Sequence, residues 1–402
     1  MLARVYLLCA IPAVIAYLPF QFLPPISDDY TQIALGRKYG ALSQWADLAQ
    51  DALYRCRATS ILITHWTESL VGVSAPFLYA TSLIVHILNI GLVVMLGSWR
   101  YIGWPIAIAS AVFFAVHEGH QEAVVWYASL PELLVFTFTL LAILVTIRKR
   151  YAAAYAMFAL ALLSKESGVV FVPLFALILW LDDVPLPRIA LLTTPFAITA
   201  ALYTLAIFGA KQDHLHFNDG TFQLGPGFLT VLIISTGRLL WFWGVLALIV
   251  LALKRRYGFI AAGLVWIAIT MLPYVFLTYM PRMPSRHTYL ASLALAIFVG
   301  AAWIEVRQWR KPWANALVVI ILAHNIGYLW YKKYPQYVRR AEPTEKLIEY
   351  SRERQAEPIV VRCFPFGEVI ASDTLIVGAQ RPRNMFRWDP TVATGYCDTS
   401  RP

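Results

Sequence analysis

Two carboxylates stand side by side at Asp28 and Asp29, within the run Ser27-Asp28-Asp29-Tyr30. A carboxylate within hydrogen-bond reach of a hydroxyl makes it a better nucleophile, and a second acid can hold the first in position. The same residues also suit a helix start, with Asp28 capping a helix that begins near Tyr30. A second group, His117-Glu118-Gly119-His120-Gln121-Glu122, brings His117, His120 and Glu122 toward one side near a helix start, where they would meet a ligand or a divalent metal. It is not the metalloprotease HExxH pattern, because one residue rather than two separates Glu118 from His120. Polar packing at a helix end is the other reading of this group.

Cations supply the third kind of candidate. Lys165, followed by Glu166 and Gly168, falls at the mouth of a helical hairpin. Arg282 and Arg286 fall at a similar mouth, and Arg238 near the outer end of an apolar run. An ammonium or a guanidinium there suits a phosphate, the guanidinium in a bidentate manner. The structural alternatives are a lysine reaching for the interface, a local Lys165 to Glu166 pair, and arginines that anchor helices.

The elements that must position these groups are membrane helices. Hydrophobic residues make up 59% of the 402 and charged residues 14%, which excludes an ordinary soluble domain. Apolar runs of suitable length lie near 3–22, 78–97, 103–117, 130–147, 151–163, 168–181, 189–209, 228–253, 259–279, 288–306 and 313–331, so about eleven spans are expected. The first is read as a retained span, since it is long and lacks a small-residue cleavage site before Pro24-Pro25. The net charge of +10 comes from short basic clusters between apolar runs. No basic face or recognition motif accompanies it, so nucleic acid is not an expected partner.

Those clusters set orientation. An N-terminus in the cytoplasm puts Arg4, Arg100, Arg148-Lys149-Arg150, Arg188, Lys254-Arg255-Arg256, Arg307, Arg310 and Lys311 on the inside. Arg37, Lys38, Arg55, Arg57, Lys332 and Lys333 count against it, the first four in a long loop where the rule weakens. With this orientation Asp28 and Asp29, residues 117–122, Ser164-Lys165-Glu166, His214, His216 and residues 282–289 all collect on the extracytoplasmic side. Ionisable residues gathered at span ends are functional candidates.

Two soluble parts flank the spans. The first loop, 24–76, carries helical stretches at 30–39 and 41–53, with Leu42, Trp45 and Leu48 placed to bury one face in the headgroup region or to cap the other spans. The last 71 residues hold 21 of the chain's 56 charged side chains. A small extracytoplasmic domain is therefore expected over 332–402, following a membrane domain over 1–331, with a helix at 345–355 and strands at 358–363 and 374–377. Cys363 and Cys397 both fall in this tail, where pairing is open to them. The expected fold class is an all-α polytopic membrane protein with a small α/β C-terminal domain.

Five separated segments, in order over roughly residues 1–330, resemble the GT-C glycosyltransferases, in particular the protein O-mannosyltransferases and the membrane domain of the tetratricopeptide-containing O-mannosyltransferase-like proteins. Asp28-Asp29 is similar to that family's acidic pair after the first span, and His86-Ile87-Leu88-Asn89 to its His-Leu-Leu-Asn helix. Residues 114–126 resemble Phe-Ala-x-His-Pro-x-His-x-Glu-Ala-Val-x-Trp, with Glu118 in place of the proline. Leu162-Leu163-Ser164-Lys165-Glu166, followed by Pro173, matches Leu-Leu-Ser-Lys-Glu. Residues 285–292 resemble Glu-Arg-Tyr-Leu-Tyr-Leu-Pro-Ser, keeping Arg286, Tyr289, Leu290 and Ser292 while Ser285 replaces the acid. Ala58 stands where a proline often follows the arginine, and no tetratricopeptide array follows the last span.

The resemblance implies transfer of a sugar from a polyprenyl-phosphate carrier, in a membrane such as the bacterial inner membrane, to an acceptor on the extracytoplasmic side. Under it, Asp28 or Asp29 is the base in a single inverting displacement. Lys165, Arg286 and Arg238 hold the donor phosphate, and His117, His120, Glu122, Glu166 and Tyr289 line a substrate or metal pocket. The acceptor, whether protein, lipid or polysaccharide, is not named by any residue. An inactive subunit of the same fold and a lipid or sugar transporter are the rival readings; the absence of an internal repeat weighs against the transporter.

Overall fold

The computed structural model describes residues 2–210, 225, 227–277, 282–355, 357–361 and 364–389. A helix lies under each of the expected apolar runs. In chain order these and the loop helices are α1 (Leu2–Tyr17), α2 (Asp29–Tyr39), α3 (Trp45–Gln50), α4 (Ala58–Val71), α5 (Ala75–Met95), α6 (Trp104–Val116), α7 (Gln121–Val125), α8 (Leu130–Thr146), α9 (Tyr151–Leu162), α10 (Phe171–Leu181) and α11 (Leu186–Ala210). There follow α12 (Gly227–Leu240), α13 (Trp243–Leu253), α14 (Tyr257–Met271), α15 (Ser292–Trp309), α16 (Lys311–Tyr328), α17 (Tyr334–Glu353) and α18 (Glu368–Asp373).

Among the described residues, six helices are long and apolar enough to cross a membrane, or seven if a bent pair counts as one crossing. The bent pair is α12 and α13, which meet at 84°. The run 228–253, expected as one span, is therefore broken. Phe242 carries the break with φ of 59°, a left-handed backbone that a bulky side chain rarely adopts. Helices α6 and α9 and the stretch Glu166–Leu181 are apolar but shorter than a bilayer.

The 13-residue α6 sits at the centre, packed against α1, α5 and α15. Its approach to α15 is close: a Cβ at Gly300 would stand 2.4 Å from Ser110 Oγ, so only glycine fits there. Phe114 stacks on Phe136 at 5.0 Å and Tyr289 meets both edge-on at 5.3 and 5.0 Å, forming the core beneath the polar groups. Burial of such aromatic rings is the main apolar contribution on this side of the bundle.

The first loop folds over the same end. Leu48 turns inward onto Leu35, Tyr39 and Ile61, while Leu42 and Trp45 face outward, so only part of the expected face is free for a bilayer. The tail continues directly from α16, since a wide helical turn at Leu329–Lys333 leads into α17. The helix expected at 345–355 is the second half of α17. One short strand, β1 (Ile359–Val361), pairs in parallel with β2 (Phe386–Trp388) over a small cluster of Ile359, Val361, Phe364 and Leu375. The strand expected at 374–377 is instead helical: Thr374–Gly378 extends α18 as a wide turn, with Thr374 Oγ1 donating to Ile370 O. Its β-branched residues follow a helix already begun, and local propensity yields to that context. Cys363, Cys397, His214 and His216 lie outside the described residues.

Candidate functional site

The polar residues gather around two short segments, 117–129 and 283–289. Helix α6 ends at His117, and Glu118–His120 forms a tight turn before α7. Gly119 permits this turn, because a Cβ there would meet His117 Nε2 at 2.7 Å. Beside the turn opens a cleft of about 530 Å³ whose walls include His117, Glu118, Arg238, Ser285, Tyr328 and Lys333. Arg238 comes from the last turn of α12 and donates to Met283 O at 3.4 Å. Lys333 comes from the wide turn after α16. Arg238, Lys333 and the nearby Arg282 outnumber the single acid, Glu118, so the cleft favours an anion. Burial raises the Glu118 carboxyl above its ordinary value, opposed by His324, Lys333 and Arg238. The buried His117 Nδ1 has no hydrogen-bond partner among the described residues.

Glu122 faces away from the two histidines. It accepts from Ser285 Oγ at 3.0 Å and from the Arg286 backbone N–H at 3.2 Å, with Arg340 Nη1 at 3.9 Å. Burial works to raise its pKa, but Arg286 and these donors hold it below the usual carboxylate range. The Arg286 and Arg340 guanidiniums lie 4.6 and 4.0 Å from the Trp126 ring centroid, a cation-π arrangement that keeps both planar groups presented. Gln121 ties this region to the tail helix, donating to Ser285 Oγ at 2.8 Å and accepting from Tyr337.

His120 and Tyr289, expected in a substrate pocket, are interior residues. His120 bonds Ser292 Oγ at 2.6 Å, and Tyr289 bonds His86 Nδ1 at 2.7 Å with Asn89 at 3.4 Å. Their rings fill the core beneath the turn, where the Tyr289 hydroxyl and His120 Nε2 are bonded while His120 Nδ1 has no hydrogen-bond partner among the described residues. The His117 and His120 rings meet edge-on at 5.0 Å while Glu122 is drawn to Ser285, so the three do not converge. Among the described residues, no three His, Cys, Asp or Glu side chains come together as a metal requires.

A second network surrounds Glu132, which the apolar run 130–147 conceals in sequence. The Glu132 carboxylate is 6% exposed and takes Lys165 Nζ, His287 Nδ1 at 2.6 Å and the Tyr274 hydroxyl at 2.8 Å. The Tyr274 ring stacks on His287 at 4.2 Å. Burial and the neighbouring Lys165 pull the His287 imidazole down to about 4, against the pull of Glu132. Lys165 was expected to meet a donor phosphate, but its buried ammonium is paired with Glu132, as a charge removed from water requires. The three expected phosphate ligands thus occupy separate settings: Lys165 on Glu132, Arg286 over Trp126, and Arg238 in the cleft. Glu166 accepts from Cys56 Sγ at 3.2 Å and faces Arg57, whose buried Nε has no hydrogen-bond partner among the described residues.

The acidic pair divides its labour. Asp29 is fully buried and accepts from Ile26 N at 2.8 Å, Ala128 N at 2.8 Å and the Tyr79 hydroxyl at 3.1 Å, joining the first loop to α5 and to the segment after α7. Burial pushes its carboxyl up to about 7 despite these donors. Asp28 is partly exposed and accepts from Ser27 Oγ at 2.9 Å. It precedes α2 but makes no side-chain capping bond, so the capping role expected for it is not taken up.

No protein-family model matches the chain, and no curated protein matches it. Among solved structures it is similar to the archaeal oligosaccharyltransferase AglB from Archaeoglobus fulgidus, solved in complex with an inhibitory peptide and a dolichol-phosphate. The superposition has a TM-score of 0.52 at 13% identity and covers 98% of this chain and 65% of that one. The two chains share a fold. A polytopic all-α membrane domain was expected, and at the level of fold the likeness agrees with it. The present chain spans about 65% of the AglB chain's length.

Glu132, Trp126, Lys333 and Arg340 were missed by sequence reasoning. Glu132 and Lys333 each had a signal. A carboxylate inside an apolar run needs a partner, and a lysine pair just beyond the last apolar run breaks the orientation rule. Arg340 had none, since nothing local in a charged tail points back to residue 126.

Proposed function

We propose that this chain is a membrane glycosyltransferase that moves a sugar from a polyprenyl-phosphate carrier to an extracytoplasmic acceptor. The observation that carries the reading is the cleft lined by Arg238 and Lys333, with Arg282 nearby, set on a fold shared with a protein solved with a dolichol-phosphate. A lipid phosphate presents its charge at the membrane surface, and the cations come from the last turn of one helix, the wide turn between two others and a connecting bend.

Asp28 is the base. It is the member of the acidic pair whose carboxylate is not consumed by backbone donors. In one inverting displacement the acceptor oxygen bonds to the anomeric carbon, the bond from that carbon to the carrier phosphate breaks, and the electron pair moves onto the phosphate. Asp28 takes the acceptor proton. The cleft cations stabilise the departing negative charge, which is greatest in the transition state. Arg286, held on Trp126, lies beside the same wall and orients the donor. The described residues assemble no ligand set for a divalent metal, so no step passes through one. Eleven crossings, a cytoplasmic N-terminus and an extracytoplasmic tail complete the proposal, and they place both the cleft and Asp28 outside.

Purified protein in lipid, incubated with a panel of radiolabelled polyprenyl-phosphate sugars beside the Asp28→Asn variant, tests it. Sugar release or transfer that Asp28→Asn loses is the expected result. No turnover with any donor, from protein that unfolds cooperatively, would shift the assignment to an inactive subunit or a transporter.

A further inference from the structure

The far end of the bundle carries a second cleft, of about 550 Å³, with apolar walls that include Trp99, Tyr101, Leu177, Phe259, Trp266 and Phe298. It is remote from the polar site. Ile143, also in its wall, follows Glu132 along α8 by eleven residues, or roughly 16 Å of helix rise. It is a narrow slot, and its lining offers almost nothing to hydrogen-bond. On α14 the neighbouring Leu264 and Val265 are exposed, so the helix that walls the cleft also faces the bilayer.

The charge around its mouth indicates what enters. Arg100, Arg148, Lys149, Arg150, Lys254, Arg255 and Arg256 all lie at this end. The acids there are committed: Asp183 to Arg100 at 2.7 Å, Asp182 to Trp99 Nε1 at 2.8 Å, and Glu305 to Arg256 at 2.9 Å. Lys254 and Arg255, just before the turn of α14 that carries Phe259, are exposed and have no ion-pair partner among the described residues. Unneutralised cations beside an apolar slot match an anionic headgroup above a hydrocarbon chain.

We infer that this cleft takes an acyl chain of an anionic bilayer phospholipid, whose headgroup rests on Lys254 and Arg255. The lipid wedges α14 against α10 and α15 at the end of the bundle opposite the chemistry. Its binding does not depend on the proposed reaction.

The test uses the full chain in phosphatidylcholine vesicles containing trace phosphatidylglycerol or phosphatidylcholine with a diazirine on one acyl chain. After irradiation, labelled peptides are mapped. The phosphatidylglycerol probe should mark residues 257–266 on the order of tenfold more than its zwitterionic counterpart. Lys254→Ser with Arg255→Ser should erase that preference. Ala294→Leu, which fills the cleft, should abolish labelling at 257–266 while leaving other lipid-facing helices labelled; Leu177→Trp serves the same purpose should Ala294→Leu fail to fold. Equal labelling by the two probes would overturn the inference, as would labelling that survives both filling variants. Competition by polyprenyl phosphate but not by phosphatidylglycerol would overturn it too, making the cleft a groove for a carrier chain.

Discussion

Glu132→Gln should be among the most damaging single changes in the bundle, and its cost can be worked from its partners. The carboxylate is nearly inaccessible and answers Lys165, His287 and Tyr274 at once. Glutamine keeps one acceptor oxygen but loses the charge, so the Lys165 ammonium, 12% exposed, stays buried with Glu166 as the acid left to offset it. Breaking a buried pair from one side costs about 3–5 kcal/mol. Lys165→Met leaves the converse problem, an unpaired carboxylate with two neutral donors, and should cost about 3 kcal/mol. The double variant carries no stranded charge, and its remaining loss is the weakened bonding of His287 and Tyr274, about 2 kcal/mol. The double should therefore be more stable than either single, with a coupling energy of about 3 kcal/mol or more. Denaturant unfolding of the four proteins in one lipid environment, followed by tryptophan fluorescence, measures the cycle. Additivity within about 0.5 kcal/mol would refute the shared network.

Further outcomes concern the acids and the cleft. Asp28→Asn should abolish transfer with unfolding unchanged, whereas Asp29→Asn, left with one acceptor oxygen for three donors, should lose about 1–3 kcal/mol of stability; a fully active Asp28→Asn would end the base assignment. Because the folded chain raises the Asp29 carboxyl to about 7, it holds that proton more tightly than the unfolded chain does. The resulting stability is complete below about pH 4 and is lost as pH climbs through 7. Wild type should accordingly fall relative to Asp29→Asn in unfolding titrations from pH 5 to 8, and a flat difference would contradict it. Arg238→Gln and Lys333→Gln should each raise the donor KM by about tenfold with kcat little changed, as loss of one charge-assisted phosphate contact predicts; unaltered KM in both would place the donor elsewhere.

Composition made the membrane class legible, because no soluble core absorbs so large an apolar fraction. The segments around Asp28, His117 and Lys165 were also legible, since ionisable residues at the ends of apolar runs stand out. Their roles were less so. Nothing in the sequence separates Asp28 from Asp29; that distinction comes from Ala128 and Tyr79, which only the fold brings to one of them. Lys165 read as a phosphate ligand, an interfacial lysine or a partner of Glu166, because the acid it pairs with lies thirty-three residues away inside a span. The break between α12 and α13 was hidden in the same manner. Trp241-Phe242-Trp243 continues the hydrophobic pattern, and periodicity does not report a reversal of φ. Thr374–Gly378 misled in the opposite direction, as β-branched residues completing a helix.

Residues 334–344 return to the start of the chain. Tyr334 and Tyr337 pack edge-on against Phe20 at 5.5 and 5.9 Å, Trp330 Nε1 donates to Ala16 O, and Thr344 donates to Pro25 O across 319 positions. Asp28 and the first loop are therefore clamped by residues synthesised more than three hundred positions later. At about 5–20 residues per second, roughly 15–60 s separate synthesis of the two halves of that clamp. Late in that interval, once residue 287 has been added, Glu132, Lys165 and His287 can meet, but Arg340 has not yet reached Trp126 and Phe20 lacks the rings of Tyr334 and Tyr337. Assembly of the site thus waits on synthesis of residues 330–344. A chain truncated before residue 334 would keep Asp29 tied to Ala128 and Tyr79 but lose the tail helix that packs on Phe20 and bonds Pro25.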